Sequence, residues 1–294
     1  MINGIKSILI LKKIFSHIEE GIKLKLLKHN KKYQDKLNLS TNDYKNYSNL
    51  IIIDIIPKDH FYGEENVFIK INKDISFYHF YINGGTEDLG RNYYNQEDLL
   101  KYKNSIKKIK VTIDGDKIQS LGKLFDGCRY VKEINFKKFN SINIKNMSYM
   151  FCDCSYLIKL NITKLKTDNV ISMKYMFCEC QYLKTLDVSN FENENVCDMS
   201  YMFYGCENLE EIKMFNIKNN NNELYLRGMF CECYNLKKLN FSNFQNVKVI
   251  SMAEFLYKCK SLEELNMSNF TTVKSEDIKL NLKYMFNDCF KLKK

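Results

Sequence analysis

A spacing constrains this chain more than any single motif. Seven cysteines, Cys128, Cys154, Cys180, Cys206, Cys233, Cys259 and Cys289, follow one another at intervals of 26, 26, 26, 27, 26 and 30 residues. Each brings the same apolar set with it. With the cysteine as position 0, apolar residues fall at −7, −4, −3, +3, +6 and +8. Around Cys180 these are Met173, Met176, Phe177, Leu183, Leu186 and Val188. A fixed period of this length marks a solenoid, whose units cannot bury an apolar side alone and must stack to do so.

Within a unit the spacing changes character. Positions −7, −4, −3, 0 and +3 read as a helical stripe of two to three turns. Positions +6 and +8, flanked by mostly polar residues at +5 and +7, read as strand alternation. Each unit is therefore expected to be a short helix, a bend and a short strand. The segments NMSYMFCDCSYLIKLNI, SMKYMFCECQYLKTLDVSNF and DMSYMFYGCENLEEI resemble the BspA-type leucine-rich repeats of bacterial surface proteins, over about residues 118–294. That resemblance implies binding and adhesion modules rather than enzymes. The expected class is α/β: a leucine-rich-repeat-like solenoid of helix-plus-strand units, with a helical N-terminal segment and a small β-rich capping region.

Three regions are expected along the chain. Residues 1–48 read as amphipathic helical segments through Leu11, Ile14, Phe15, Ile18 and Ile22, and carry ten lysines against four acids. The stretch LKKIFSHIEEGIKLKLLKHNKKYQDKL resembles an F-box helical module, without the usual Leu-Pro opening. Residues 49–104 are β-rich, with NLIIIDII, NVFIKI and DISFYHFYI separated by turn signals. Residues 105–294 form the solenoid, whose first unit, around Ile106, Ile109 and Val111, has no cysteine.

No run of 18 apolar residues offers a membrane span, and no export signal is seen, so a cytoplasmic location is expected. The eleven cysteines and four histidines do not follow zinc-ligand spacing, because the histidines all precede the repeats and three of the four extra cysteines sit in C-x-C pairs. The thiols read as structural, with Cys197, outside the pattern, as the candidate reactive one. No nucleophile–base or phosphate-loop motif occurs; the resemblance to the repeat family implies that the chain is not an enzyme and needs no cofactor.

Two surfaces are candidates for binding. On the strand side, Lys159 and Glu211 at +5 and Asp187 and Lys213 at +7 give mixed signs. These do not make a phosphate track, so nucleic acid is not the expected partner. On the other side, Tyr149, Tyr175, Tyr201 and Tyr284 at −5, and Tyr130, Tyr156 and Tyr182 at +2, point away from the apolar stripe. They form either an aromatic contact patch or a stack of rings that stiffens the repeats. The expected function is a non-catalytic protein–protein interaction scaffold with an unidentified protein partner. The alternatives are an F-box-like receptor that docks a ubiquitin-ligase adaptor through residues 1–48, and a surface adhesin.

Overall fold

The computed structural model describes residues 30–37, 49–58, 68–71, 75–85, 105–218, 223–242, 244–245, 247–268 and 280–292. The chain divides into two compact units, 1–50 and 51–294. In the first, the described residues include one short helix, α1 (Lys31–Lys36). The rest of the basic N-terminal segment, including most of the F-box-like stretch, lies outside the described residues.

The second unit is a β-solenoid, and the expected helix of each repeat is not there. Residues −7 to +3 instead form successive tight turns. In the Cys154 repeat, Met150 N–H bonds to Met147 O (3.2 Å), Cys152 to Tyr149 O (3.2 Å), Cys154 to Phe151 O (3.3 Å) and Leu157 to Cys154 O (3.0 Å). The residue at −5 has positive φ in all seven repeats: Lys123, Tyr149, Tyr175, Tyr201, Gly228, Glu254 and Tyr284. So does the residue at −1: Gly127, Asp153, Glu179, Gly205, Glu232, Lys258 and Asp288. A positive φ at the third turn residue is the mark of a type II turn, and two within six residues cannot belong to a right-handed helix. The amides in between turn outward. Met147, Tyr149, Phe151 and Asp153 donate to Ser172, Lys174, Met176 and Cys178 of the next coil at 2.8–3.0 Å. In a helix those N–H groups would be consumed within the same coil. Turns and helices share the three- and four-residue spacing, so the apolar stripe could not separate them. The α/β leucine-rich-repeat expectation is therefore corrected to an almost wholly β architecture.

Short parallel strands complete each coil. They are β4 (Val131–Lys138), β5 (Lys159–Asn161), β6 (Thr185–Asp187) and β7 (Glu211–Lys213). The larger fourth interval adds β8 (Ile217–Lys218) and β9 (Glu223–Tyr225) before β10 (Lys238–Asn240). Then come β11 (Phe244–Gln245), β12 (Lys248–Ser251) and β13 (Glu264–Asn266). Pairs β4·β5, β6·β7, β8·β11, β9·β12 and β10·β13 are parallel and equivalent positions face each other, as Glu133 faces Lys159 and Leu186 faces Ile212. A second line of parallel bridges runs at −8 through Ser120, Asn146, Ser172, Asp198 and Tyr225. The −8 side chains also hold the turn that follows: Asn146 Oδ1 accepts from Ser148 N–H at 2.8 Å and Asp198 Oδ1 from Ser200 N–H at 2.8 Å.

Before the first cysteine the sheet changes direction. β1 (Leu50–Pro57), β2 (Tyr78–Ile82) and β3 (Ile109–Asp114) join β4 and β5 in the order β2-β3-β1-β4-β5. β1 runs antiparallel to β4, with Ile55 opposite Ile134, and so separates β3 from the strand of the next repeat. Its continuous apolar run suits a strand covered on both faces, and Ile51, Ile53 and Ile55 are fully buried. Asp54 in the same strand is held by Lys108 Nζ at 2.7 Å.

The core consists of columns along the stack. The −3 phenylalanines lie face to face: Phe125–Phe151 at 5.5 Å, Phe151–Phe177 at 5.4 Å, Phe177–Phe203 at 5.4 Å and Phe203–Phe230 at 5.0 Å between centroids. Burial of each such side chain contributes about 1.5–3 kcal/mol, and each ring pair about 0.5–1.5 kcal/mol more. Position 0 is cysteine for a specific reason. Cys154, Cys180, Cys206, Cys233, Cys259 and Cys289 each donate the thiol hydrogen to the carbonyl oxygen at −3 of the preceding coil, at 3.1–3.2 Å. A thiol is small and apolar enough for the interior yet still a donor. Burial pushes these thiols up, Cys206 to about 12 and Cys154, Cys180 and Cys233 well above the ordinary value of 9.0.

Candidate interaction surface

The positive-φ backbone at −5 aims that side chain along the stack and away from the core. Tyr149, Tyr175 and Tyr201 form one continuous pile, with centroids 4.8 and 4.9 Å apart and planes within 14° and 9° of parallel. The rings are half-buried by this contact. Burial, reinforced by the neighbouring phenols, pushes Tyr175 up to about 12. The pile ends over Gly228, where an added Cβ would run into the Tyr201 ring. The Tyr201 hydroxyl reaches past that coil and donates to Glu254 Oε2 at 3.0 Å, while Arg227 Nη2 holds Glu254 Oε1 at 3.0 Å.

Where tyrosine is missing at −5, the turn face opens into a groove of about 620 Å3. Tyr201, Tyr204, Tyr257 and Tyr284 wall it, with Cys231 and Asn287 among the other lining residues. Tyr204 stands edge-on to Tyr201 at 6.0 Å, and burial pushes it up to about 12. The charges around the groove are paired: Glu254 with Arg227, and Glu232 with Lys258 at 2.7 Å. Spacing located Tyr201 and Tyr284. It missed Tyr204 and Tyr257, which share position −2 with Cys152, Cys178 and Cys231; the alternation of Cys and Tyr at −2 is the signal that could have found them.

The tyrosines at +2 form a separate pile. Tyr130–Tyr156 and Tyr156–Tyr182 are stacked at 6.3 and 5.1 Å. Lys58 Nζ sits 3.5 Å from the centre of the Tyr156 ring. Tyr182 keeps half of its surface exposed.

The strand-side candidates are engaged between coils. Lys159 pairs with Glu133 at 3.7 Å and Lys213 with Asp187 at 3.5 Å, and Lys238 pairs with Glu264 at 2.6 Å in the row of Lys159. Glu211 stands opposite Thr185. Asp187 also accepts from the Ser189 hydroxyl (2.6 Å) and amide (3.1 Å); these bonds, with Lys213, hold its carboxyl below the usual range. Position +7 therefore secures the bend after the strand, as Asn161, Asn240 and Asn266 do by accepting from Thr163, Ser242 and Ser268.

A shallower hollow of about 550 Å3 lies beside the exposed Ile142 and Ile171 and contains Cys197. An asparagine ladder borders it: Asn169 Nδ2 donates to Ile142 O at 3.0 Å and Asn195 Nδ2 to Asp168 O at 2.7 Å. The half-buried Cys197 thiol points at Asn195 O, 3.6 Å away. Among the described residues, no cluster of three or more His, Cys, Asp or Glu side chains could hold a metal ion. No helix among them is long and apolar enough to cross a membrane.

A family model described as "Mycoplasma protein of unknown function, DUF285" fits residues 119–225 and again 222–294. The two matches together span all seven anchor cysteines. No curated protein and no solved structure matches.

Proposed function

The chain belongs to the DUF285 family, and from that premise we propose that it is a non-catalytic scaffold binding a protein partner along the turn face of its solenoid. The observation that carries this reading is the Tyr149–Tyr175–Tyr201 pile running into the tyrosine-walled groove. Ring-on-ring contact fixes these side chains before any partner arrives, so binding costs little side-chain entropy. Tyrosine offers both apolar area and a polar tip, the combination that dominates protein contacts. The strand face suits the role less, because Lys159, Asp187 and Lys213 on it are already paired between coils.

Site-specific photo-cross-linking in the source cells tests this. A benzophenone side chain is placed at Tyr257 in the groove, or at Glu211 on the strand face. The expected result is a defined adduct from position 257 that disappears when Tyr284→Ala is added. Adducts from position 211 alone, or from neither position, would overturn the reading. The motif resemblance to BspA-type repeats supports a narrower version, an adhesin displayed outside the cell. We favour the cytoplasmic scaffold. Protease treatment of intact cells separates the two: an adhesin is degraded and a cytoplasmic scaffold is spared.

A further inference from the structure

The cysteines fall into two chemical groups. The thiols at position 0 are spent on backbone carbonyls in the core. Cys152 and Cys178 instead stand side by side, at −2 on adjacent coils. The backbone holds them in register: Phe151 N–H donates to Met176 O, and Asp153 N–H to Cys178 O, both at 2.8 Å. One rung of such a ladder is about 4.8 Å, inside the roughly 4.4–6.8 Å between Cα atoms that a disulfide bridges without backbone movement. The thiols are a pair and not a series, because −2 is Asp126 on the coil before and Tyr204 on the coil after. Cys152 is partly exposed, whereas Cys178 is only 6% exposed.

We propose that Cys152 and Cys178 are a redox-active pair that closes to an intramolecular disulfide on reaction with a low-molecular-weight disulfide. The Cys152 thiolate, the accessible one, attacks one sulfur of the small disulfide. A mixed disulfide forms, and the departing thiolate takes up the proton that Cys152 gave up. Cys178 then attacks the Cys152 sulfur; the bond to the small thiol breaks, and that thiol leaves with the Cys178 proton. The protein pair is oxidised by two electrons, and the small disulfide is reduced to two thiols. The product staples two coils under the Tyr149–Tyr175 pile. The inference stands on the register of the two coils and does not depend on the binding role of the turn face.

The test treats the full chain with oxidised glutathione under native conditions, caps remaining thiols with N-ethylmaleimide, and maps tryptic peptides without reduction. The expected product joins peptide 146–159 to peptide 175–184, two hydrogens lighter than the sum of the parts, with fragmentation placing the bond at Cys152 and Cys178. In Cys178→Ser the reaction stops at glutathione on Cys152, and in Cys152→Ser no cross-link forms. The proposal is overturned if wild-type Cys152 keeps its glutathione as the Cys178→Ser variant does. It is overturned equally if both cysteines carry only N-ethylmaleimide while circular dichroism shows an intact fold.

Discussion

The ring of Tyr201 occupies the space that a side chain at Gly228 would fill. Gly228 also has φ +57, so two separate costs meet at one residue. Gly228→Ala is expected to destabilise the chain by about 2–3 kcal/mol, of which about 1 kcal/mol is backbone strain. In the Tyr201→Ala background the same change should cost only the strain. Urea unfolding of the four proteins of this cycle measures the coupling.

Tyr175 has ring neighbours on both sides, whereas Tyr149 has one on the described stack. Tyr175→Ala should cost about 0.5–1.5 kcal/mol more than Tyr149→Ala, one ring pair's worth. Equal losses in chemical denaturation would show that the rings contribute by area alone.

The buried anchor thiols make the fold sensitive to alkali. Unfolded thiols ionise near the ordinary value of 9.0, whereas in the folded chain burial raises Cys206 to about 12 and Cys154, Cys180, Cys233 and Cys259 well above 9.0. Below pH 9 both states keep the proton and these groups impose no pH dependence. Above it the unfolded chain binds fewer protons, so stability falls, by up to about 1.4 kcal/mol per pH unit for each such thiol. The denaturation midpoint should hold from pH 7 to 8.5 and drop steeply from 9 to 10. Cys206→Ala should be less stable at pH 7 but show a shallower drop.

One coil inverts the usual order at −4 and −3, placing Phe255 before Leu256. The face-to-face column stops there, and Phe230 meets Phe255 edge-on at 83°. Leu256→Phe alone overfills the core and should cost about 1–3 kcal/mol. Phe255→Leu with Leu256→Phe conserves volume and should fall within about 1.5 kcal/mol of wild type. Thermal unfolding of the single and double variants checks the non-additivity.

The period, the buried columns and the shared column of Tyr149, Tyr175 and Tyr201 were all readable from spacing, because stacking in register keeps each position in its own line. What spacing could not distinguish was turn from helix, since both repeat apolar residues at three and four. The usual warning of a left-handed residue is glycine or asparagine, yet here tyrosine, glutamate, aspartate and lysine hold most of these sites. Contacts between coils overrule local preference. The strand-side pairs Glu133–Lys159 at +5 and Asp187–Lys213 at +7 follow from the same in-register stacking. The placement of β1 between β3 and β4 was hidden, being set by pairing between distant segments.

That placement divides assembly into two kinds of step. Coil-on-coil contacts join residues one repeat apart, so the ladder can nucleate at any pair of repeats and extend in both directions. β1 must instead find β4 across the intervening β2 and β3, and closing that larger loop costs more chain entropy before any contact repays it. The repeats should therefore gain protection from amide exchange early and together, with Ile53 and Ile55 following later. The lifetime of the ladder without its antiparallel seal then becomes the interval in which an unpaired β4 edge is open to another chain.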